Sequence, residues 1–239
     1  MIIKSVSNQN YKLINRLKNK KYREKENLFI IESRKLVDEA INSSANIDFI
    51  FLRSDVSYET DFESLVFDKA LFNKLTLLKS SDGIGAVVRK PAPKKIKSKK
   101  VLLLDSINDP GNIGTMIRSA EAFGFNDIIL SPDCVDIYNE KALRASMGSV
   151  FRLNIVKLTY DEIASFKTCY KFLAADMAGL DIREYKSDSK IILAIGNEAN
   201  GLGKEVRSLT DTFVKIPMEG AIESLNAAIA ASIIMNRLM

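Results

Sequence analysis

"IPMEGAIESLNAAIAASIIM", residues 216–235, is the stretch on which the reading of this chain turns. After Leu225 it contains, apart from Asn226 and Ser232, only Ala, Ile and Met, which predicts a helix apolar on every side and therefore buried. Its start does not fit that description. Ser224-Leu225-Asn226 places two polar side chains directly behind a Pro and Gly turn. A polar residue there can cap the backbone donors that a first helical turn leaves orphaned. It can also face a ligand, and this stretch alone leaves both readings open.

Working outward, a chain of 239 residues with 46% apolar and 27% charged content is an ordinary globular composition with enough length for two small domains. No apolar run reaches the length of a membrane span, and the first residues lack the apolar core of a secretory signal. The early segment is basic and free of acids, as mitochondrial presequences are, but it is rich in Lys and Asn with Arg16 as its single arginine. The expected location is the cytoplasm, with no membrane partner. Cys134 and Cys169 stand far apart with no CxxC spacing, so no zinc or dithiol motif is legible and no metal is expected. The chain has no histidine. That excludes Ser-His-Asp and Cys-His nucleophile systems, imidazole bases and His-ligated metals together.

Charge is unevenly spread. Residues 1–100 carry 21 Lys and Arg against 12 Asp and Glu, whereas residues 101–239 carry 14 against 18. The front end is therefore the expected polyanion binder, and its segment KNKKYREK, with Lys20, Lys21 and Arg23, is the candidate RNA contact. PAPKKIKSKK, residues 91–100, has two prolines, a run of lysines and little to bury, and reads as an exposed connection. The expected domains are 1–92, a basic linker 93–100, and 101–239. Before the linker, a basic amphipathic segment (8–20) leads into LFIIE (28–32), a helical RKLVDEAINS, IDFIFLR (47–53), a helical DKALFNKLTLL and IGAVVRK (84–90), a small α/β layer.

After the linker, short apolar runs alternate with helical segments: VLLLD (101–105), DIIL (127–130), FRLNIVKL (151–158), KFLAAD (171–176), IILAIG (191–196) and TFVKIPM (212–218). Such runs predict a mainly parallel sheet covered on both faces, with the ligand site beyond the carboxyl ends of the strands. Three loops leave such ends with unusual chemistry. In DSINDPGNIGTMIRSAEAFG (105–124), Asp109-Pro110-Gly111 is turn chemistry and Asn112 stands where a helix cap would be. Arg118 follows about 600° of helical rotation later, among apolar neighbours, and needs an anion or carboxylate partner. IGNEANGLGK (195–204) brushes against the P-loop pattern, but Leu202-Gly203 interrupt it and Glu205 replaces the magnesium-holding hydroxyl. It is not a dinucleotide fingerprint either. What remains is a glycine-rich loop with one acid, Glu198. The third loop is the quoted stretch.

Taken together, N-x5-R in the first loop, G-N-E-x-x-G-L in the second and I-P-M-x-G-x-x-x-S-L-N in the third resemble the three signature motifs of the SpoU (TrmH) family of RNA ribose methyltransferases. The front end, with I-x-S-x-x-N, K-x-x-Y-R-E-K-x-x-L-F-I-I-E and G-I-G-A-V-V, is similar to the L30e-like substrate-binding domain of many members, with Ser33 where they usually have Gly. The resemblance implies an α/β fold: a carboxyl-terminal trefoil-knotted parallel-sheet domain (SPOUT) preceded by a small L30e-like α/β domain. It implies S-adenosylmethionine held largely by main-chain groups at Gly196, Ile216, Met218 and Leu225. It also implies a homodimer whose reacting groups, from Asn112, Arg118, Glu198, Ser224 and Asn226, meet near the interface. The reaction implied is methylation of a ribose 2'-hydroxyl, with ribosomal RNA the expected partner and 23S rRNA the favoured target. Arg118 is expected to hold the target phosphate, since a guanidinium is so weak an acid that it is hard to deprotonate into a base. The alternatives are a transfer RNA substrate and a non-catalytic RNA-binding or ribosome-associated protein of the same fold.

Overall fold

The computed structural model describes residues 2–222 and 224–239. The chain divides into two compact units. One comprises the residues up to Ala92 together with Tyr138–Phe151, and the other comprises Pro93–Ile137 and Arg152–Met239. The stretch Tyr138–Phe151, expected within the carboxyl domain, thus packs with the amino-terminal residues.

The first unit contains β1 (Ile2–Ile3), α1 (Gln9–Leu17), α2 (Lys20–Glu26), β2 (Leu28–Glu32), α3 (Arg34–Asn42), β3 (Ile47–Arg53), β4 (Ser64–Phe67), α4 (Lys69–Leu75) and β5 (Ile84–Arg89). The sheet order is β1-β4-β3-β5-β2, parallel from β1 to β3 and antiparallel through β5 to β2. LFIIE is buried along its whole length because both of its faces are covered. Leu28 and Ile30 join Ile14, Leu17, Phe51 and Phe72 in the core on one face. Successive strand side chains point to opposite faces, so Phe29 turns the other way. Its ring centroid lies 4.6 Å from that of Tyr138 and 6.3 Å from that of Phe151. Complete burial of a phenylalanine such as Phe29 is worth about 1.5–3 kcal/mol, which ties the later segment to this sheet.

Arg23 does not face solvent as the candidate RNA contact requires. It is 6% exposed, and its Nη1 donates to the carbonyls of Leu17 at 2.9 Å and Lys18 at 2.8 Å, closing the end of α1. The sequence pattern could not separate it from Lys20 and Lys21, which are exposed.

The second unit holds β6 (Lys100–Leu104), α5 (Pro110–Ala122) and β7 (Asp127–Leu130), before the chain contributes α6 (Glu140–Ser146) and α7 (Ser149–Arg152) to the first unit, apart from Arg152 itself. It continues with β8 (Asn154–Lys157), α8 (Tyr160–Ser165), a 3₁₀ turn (Phe166–Thr168), β9 (Lys171–Asp181), β10 (Ile191–Ile195), α9 (Lys204–Leu209), β11 (Thr212–Lys215) and α10 (Ala227–Arg237). The sheet runs β11-β9-β10-β6-β7-β8 with every pairing parallel, as the apolar runs predict. FRLNIVKL is shorter as a strand than expected, because its first two residues finish α7. The lysine-rich connection is anchored: the backbone N–H groups of Lys97 and Ser98 donate to Asp127 Oδ2 at 2.9 and 2.8 Å, and Lys94 pairs with Asn154.

Two expectations about the helices are corrected. The cap of α5 is Asp109, whose Oδ1 accepts from the Asn112 N–H at 2.7 Å, so Asn112 lies inside the first turn with Pro110 at its start. The terminal helix α10 is not buried on every side. Ala228, Ala231, Ile234 and Met235 are buried, while Ile229 and Ile233 are 53% and 40% exposed.

Candidate active site

The middle of β9, the carboxyl ends of β10 and β11 and the start of α10 surround a pocket of about 380 Å³, within the range of small-molecule sites. Ala175, Asp176 and Met177 come from β9, and Ile195 to Glu198 and Gly201 from the glycine-rich loop. Val214 to Ile216 and Met218 follow β11, and Ser224 to Ala227, Ala230 and Ile234 come from the terminal segment. All four residues expected at the cofactor, Gly196, Ile216, Met218 and Leu225, line this pocket, and so do Glu198, Ser224 and Asn226.

Local physical chemistry explains the wall made by the loop. Asn197 and Gly201 exchange two backbone hydrogen bonds of 2.9 Å each, and Asn197 Oδ1 accepts from the N–H groups of Ala199 and Asn200. Gly201 adopts φ +67°, in the region that favours glycine. Gly196 serves a different need: a Cβ there would stand 2.3 Å from the carbonyl carbon of Gly201 and 2.4 Å from Leu202 N. Only a residue without a side chain lets the loop fold back on itself so tightly.

At the rim, three loops meet through side chains. Asn226 caps α10, its Oδ1 accepting from Ala228 N at 2.9 Å and Ile229 N at 3.2 Å. That leaves its Nδ2 to donate to Asn112 Oδ1 at 3.0 Å. Asn112 in turn donates through Nδ2 to Glu198 Oε1 at 2.7 Å. The cap therefore sets the direction of the whole chain, because an amide has one accepting and one donating end. The capping oxygen belongs to Asn226 and not to Ser224.

Arg118 is not part of this assembly. It is exposed on α5, does not line the pocket, and makes no hydrogen bond or ion pair among the described residues, so the partner its apolar neighbourhood suggested is not there. Sequence reasoning also missed Asp176 and Met177. They lie on a five-residue irregularity of β9: Phe213 pairs with Ala174 and Val214 with Leu180, so Ala175–Gly179 bow out of the ladder toward the pocket. The Ala178 N–H and the Arg207 guanidinium, 2.8 Å away, hold the Asp176 carboxyl below its ordinary range. The signal was available, since KFLAAD ends at the carboxyl end of a parallel strand.

The arrangement offers a half-apolar recess with bare backbone on one wall and an oriented amide and carboxylate chain at its mouth. Residues 99–236 match the SpoU rRNA Methylase family, and residues 8–86 match the MRM3-like substrate binding domain. A Bacillus subtilis protein, the 23S rRNA (guanosine(2553)-2'-O)-methyltransferase RlmP, is 32% identical over 99% of this chain and 98% of its own. The SpoU methyltransferase AviRb from Streptomyces viridochromogenes, solved in complex with AdoMet, superposes with a TM-score of 0.87 at 25% identity, covering 96% of both chains. An AdoMet-bound rRNA methyltransferase from Sinorhizobium meliloti gives 0.87 at 26% identity over 99% of this chain and 96% of its own. The fold and site are those of an α/β methyltransferase with an appended substrate-binding domain. The chain belongs to the SpoU rRNA methylase family.

Proposed function

We propose that this chain transfers a methyl group from S-adenosylmethionine to a ribose 2'-hydroxyl of 23S ribosomal RNA. The observation that supports this most is the chain Glu198, Asn112, Asn226, drawn from three separate loops and standing at the mouth of the pocket. The pocket suits the cofactor: its volume fits a small molecule, and Ile195, Val214, Leu225, Ala230 and Ile234 offer apolar cover for a flat base. Main-chain groups at Gly196, Ile216, Met218 and Leu225 would hold the adenosine. When bound, the cofactor supplies an electrophilic methyl on a sulfonium.

The protein's own residues then position and polarise. A ribose hydroxyl needs its proton removed as it attacks, and this chain has no histidine to remove it. In our reading Arg118, free of partners among the described residues, binds the target phosphate and stabilises charge developing on the 2'-oxygen, and that phosphate assists proton loss. Asn112, Glu198, Ser224 and Asn226 orient the ribose and the donor, and Arg118 reaches them only in a dimer, from the partner subunit. Since the donor is already activated, positioning can contribute as much as about 7–11 kcal/mol.

Arg118 lies outside its own chain's pocket, and Ile222, Ile229 and Ile233 are exposed on the same carboxyl-terminal region. Both features support a homodimer in which the reacting groups meet near the interface. Lys20 and Lys21 serve as RNA phosphate contacts in this reading. The knotted threading of the terminal segment and a cytoplasmic location belong to the same proposal; no helix among the described residues is long and apolar enough to cross a membrane.

The test is Arg118→Ala, assayed on 23S rRNA with calorimetry in parallel. Turnover should be lost while S-adenosylmethionine affinity stays within about twofold. Equal loss of both would reject the role. Mapping 2'-O-methyl groups in RNA from a deletion strain identifies the nucleotide.

A further inference from the structure

Asp105 ends the run VLLLD and is completely buried. It makes no ion pair among the described residues. Gly203 N donates to its Oδ2 at 2.7 Å, and the hydroxyls of Tyr160 and Ser106 approach its Oδ1 at 3.3 and 3.4 Å. A buried carboxylate with no cation beside it carries a desolvation cost that the Leu102, Leu103 and Leu104 side chains before it do not. The strand gains nothing from a charge at this point, so the reason for it lies in what it holds.

It holds the far end of the glycine-rich loop. The near end is tied to the same two residues: Asp105 N donates to Ile195 O at 2.9 Å, and Asn197 Nδ2 donates to Ser106 O at 2.9 Å. Ser106 turns that carbonyl toward the loop with a φ of +57° and anchors its own N–H on Ser131 Oγ at 2.9 Å. Between the two anchors lie Gly196, Asn197, Glu198 and Gly201, which form one wall of the pocket, and Glu198 is the acceptor for Asn112. Of the anchors, only the Asp105 carboxylate is charged, and a charged acceptor makes the shorter and stronger bond to a backbone N–H.

We infer that Asp105 is a positioning residue for the cofactor: through the Gly203 N–H its carboxylate holds the loop in the shape that makes the pocket wall. This rests on the S-adenosylmethionine reading of that pocket. The full-length protein carrying Asp105→Ala, Asp105→Asn or Gly203→Pro tests it. Proline accepts the φ of −60° at Gly203, removes the donor and puts its ring where the N–H met Asp105, displacing the carboxylate from the loop. Loss of one charge-assisted hydrogen bond should raise Kd and KM for S-adenosylmethionine about tenfold or more in the Ala and Pro variants. KM for RNA should stay near the wild-type value. Asp105→Asn, which retains an oxygen for the Gly203 N–H, should return Kd to within about threefold of wild type. Unchanged cofactor affinity in the Ala and Pro variants overturns the inference. So does parallel loss of cofactor and RNA affinity that follows the melting temperature. Wild-type protein that fails to bind S-adenosylmethionine overturns the reading of the pocket itself, and this inference with it.

Discussion

Asn226 and Asn112 share a hydrogen bond of 3.0 Å across 114 positions of sequence, and the same Asn226 side chain caps the terminal helix with its other end. A structural role and an orienting role thus reside in one amide. Asn226→Asp separates them. Aspartate caps as well as asparagine, so stability should change by less than about 0.5 kcal/mol. It has no N–H to give Asn112, so methylation should fall about tenfold or more. Unfolding curves and single-turnover rates on one preparation decide; unchanged turnover would show that the amide is only a cap.

Gly196→Ala should abolish the pocket wall without unfolding the protein. The added methyl meets the Gly201 and Leu202 backbone, which cannot step aside as a flexible side chain can. Calorimetry should show cofactor affinity reduced about tenfold or more, with a melting temperature several degrees below wild type, since overpacking costs about 1–3 kcal/mol.

Ser33 has φ +104° and ψ 145°, a backbone region used almost only by glycine. Its side chain caps α3 through a long 3.4 Å bond from Leu36 N. Release of strain exceeds the loss of that cap, so Ser33→Gly should stabilise the protein by about 1 kcal/mol in denaturant titration.

Arg23→Ala should lower stability by about 2 kcal/mol, because one buried and one partly buried carbonyl lose a charged donor. RNA affinity of the folded variant should hold. Charge reversal at Lys20 and Lys21 should do the opposite, weakening RNA binding and flattening its salt dependence. A filter-binding salt series on both variants separates the two roles.

Burial raises the Glu32 carboxyl above its usual 4.5, opposed by hydrogen bonds from Thr76 and the Leu77 N–H and by the Lys18 charge. A carboxyl raised in the fold binds its proton more tightly there than in the unfolded chain, so its ionisation costs stability as pH climbs above 4.5. Glu32→Gln should match wild type below that pH and become the more stable protein above it. Melting temperatures between pH 4 and 8 check the sign.

Much of this molecule was legible without coordinates. DIIL, LFIIE and IDFIFLR begin and end as strands where the residues say they should, because continuous burial leaves an unbroken apolar signal. Short pieces escaped: Ile2–Ile3 and Ser64–Phe67 are too brief to show a period, and the start of FRLNIVKL is helical because a few apolar residues fit either structure.

From residues alone came the two α/β layers and the three chemically unusual loops, since composition and order along the chain carry that information locally; which of their side chains serve the site came from the resemblance to the SpoU family. Tertiary structure alone decided that Arg23 turns inward, that Arg118 stands outside, that Asn226 is the cap and that Asp105 lies under the glycine-rich loop. Burial and hydrogen-bond direction depend on partners up to 114 residues away, and no local pattern encodes which end of an amide those partners require.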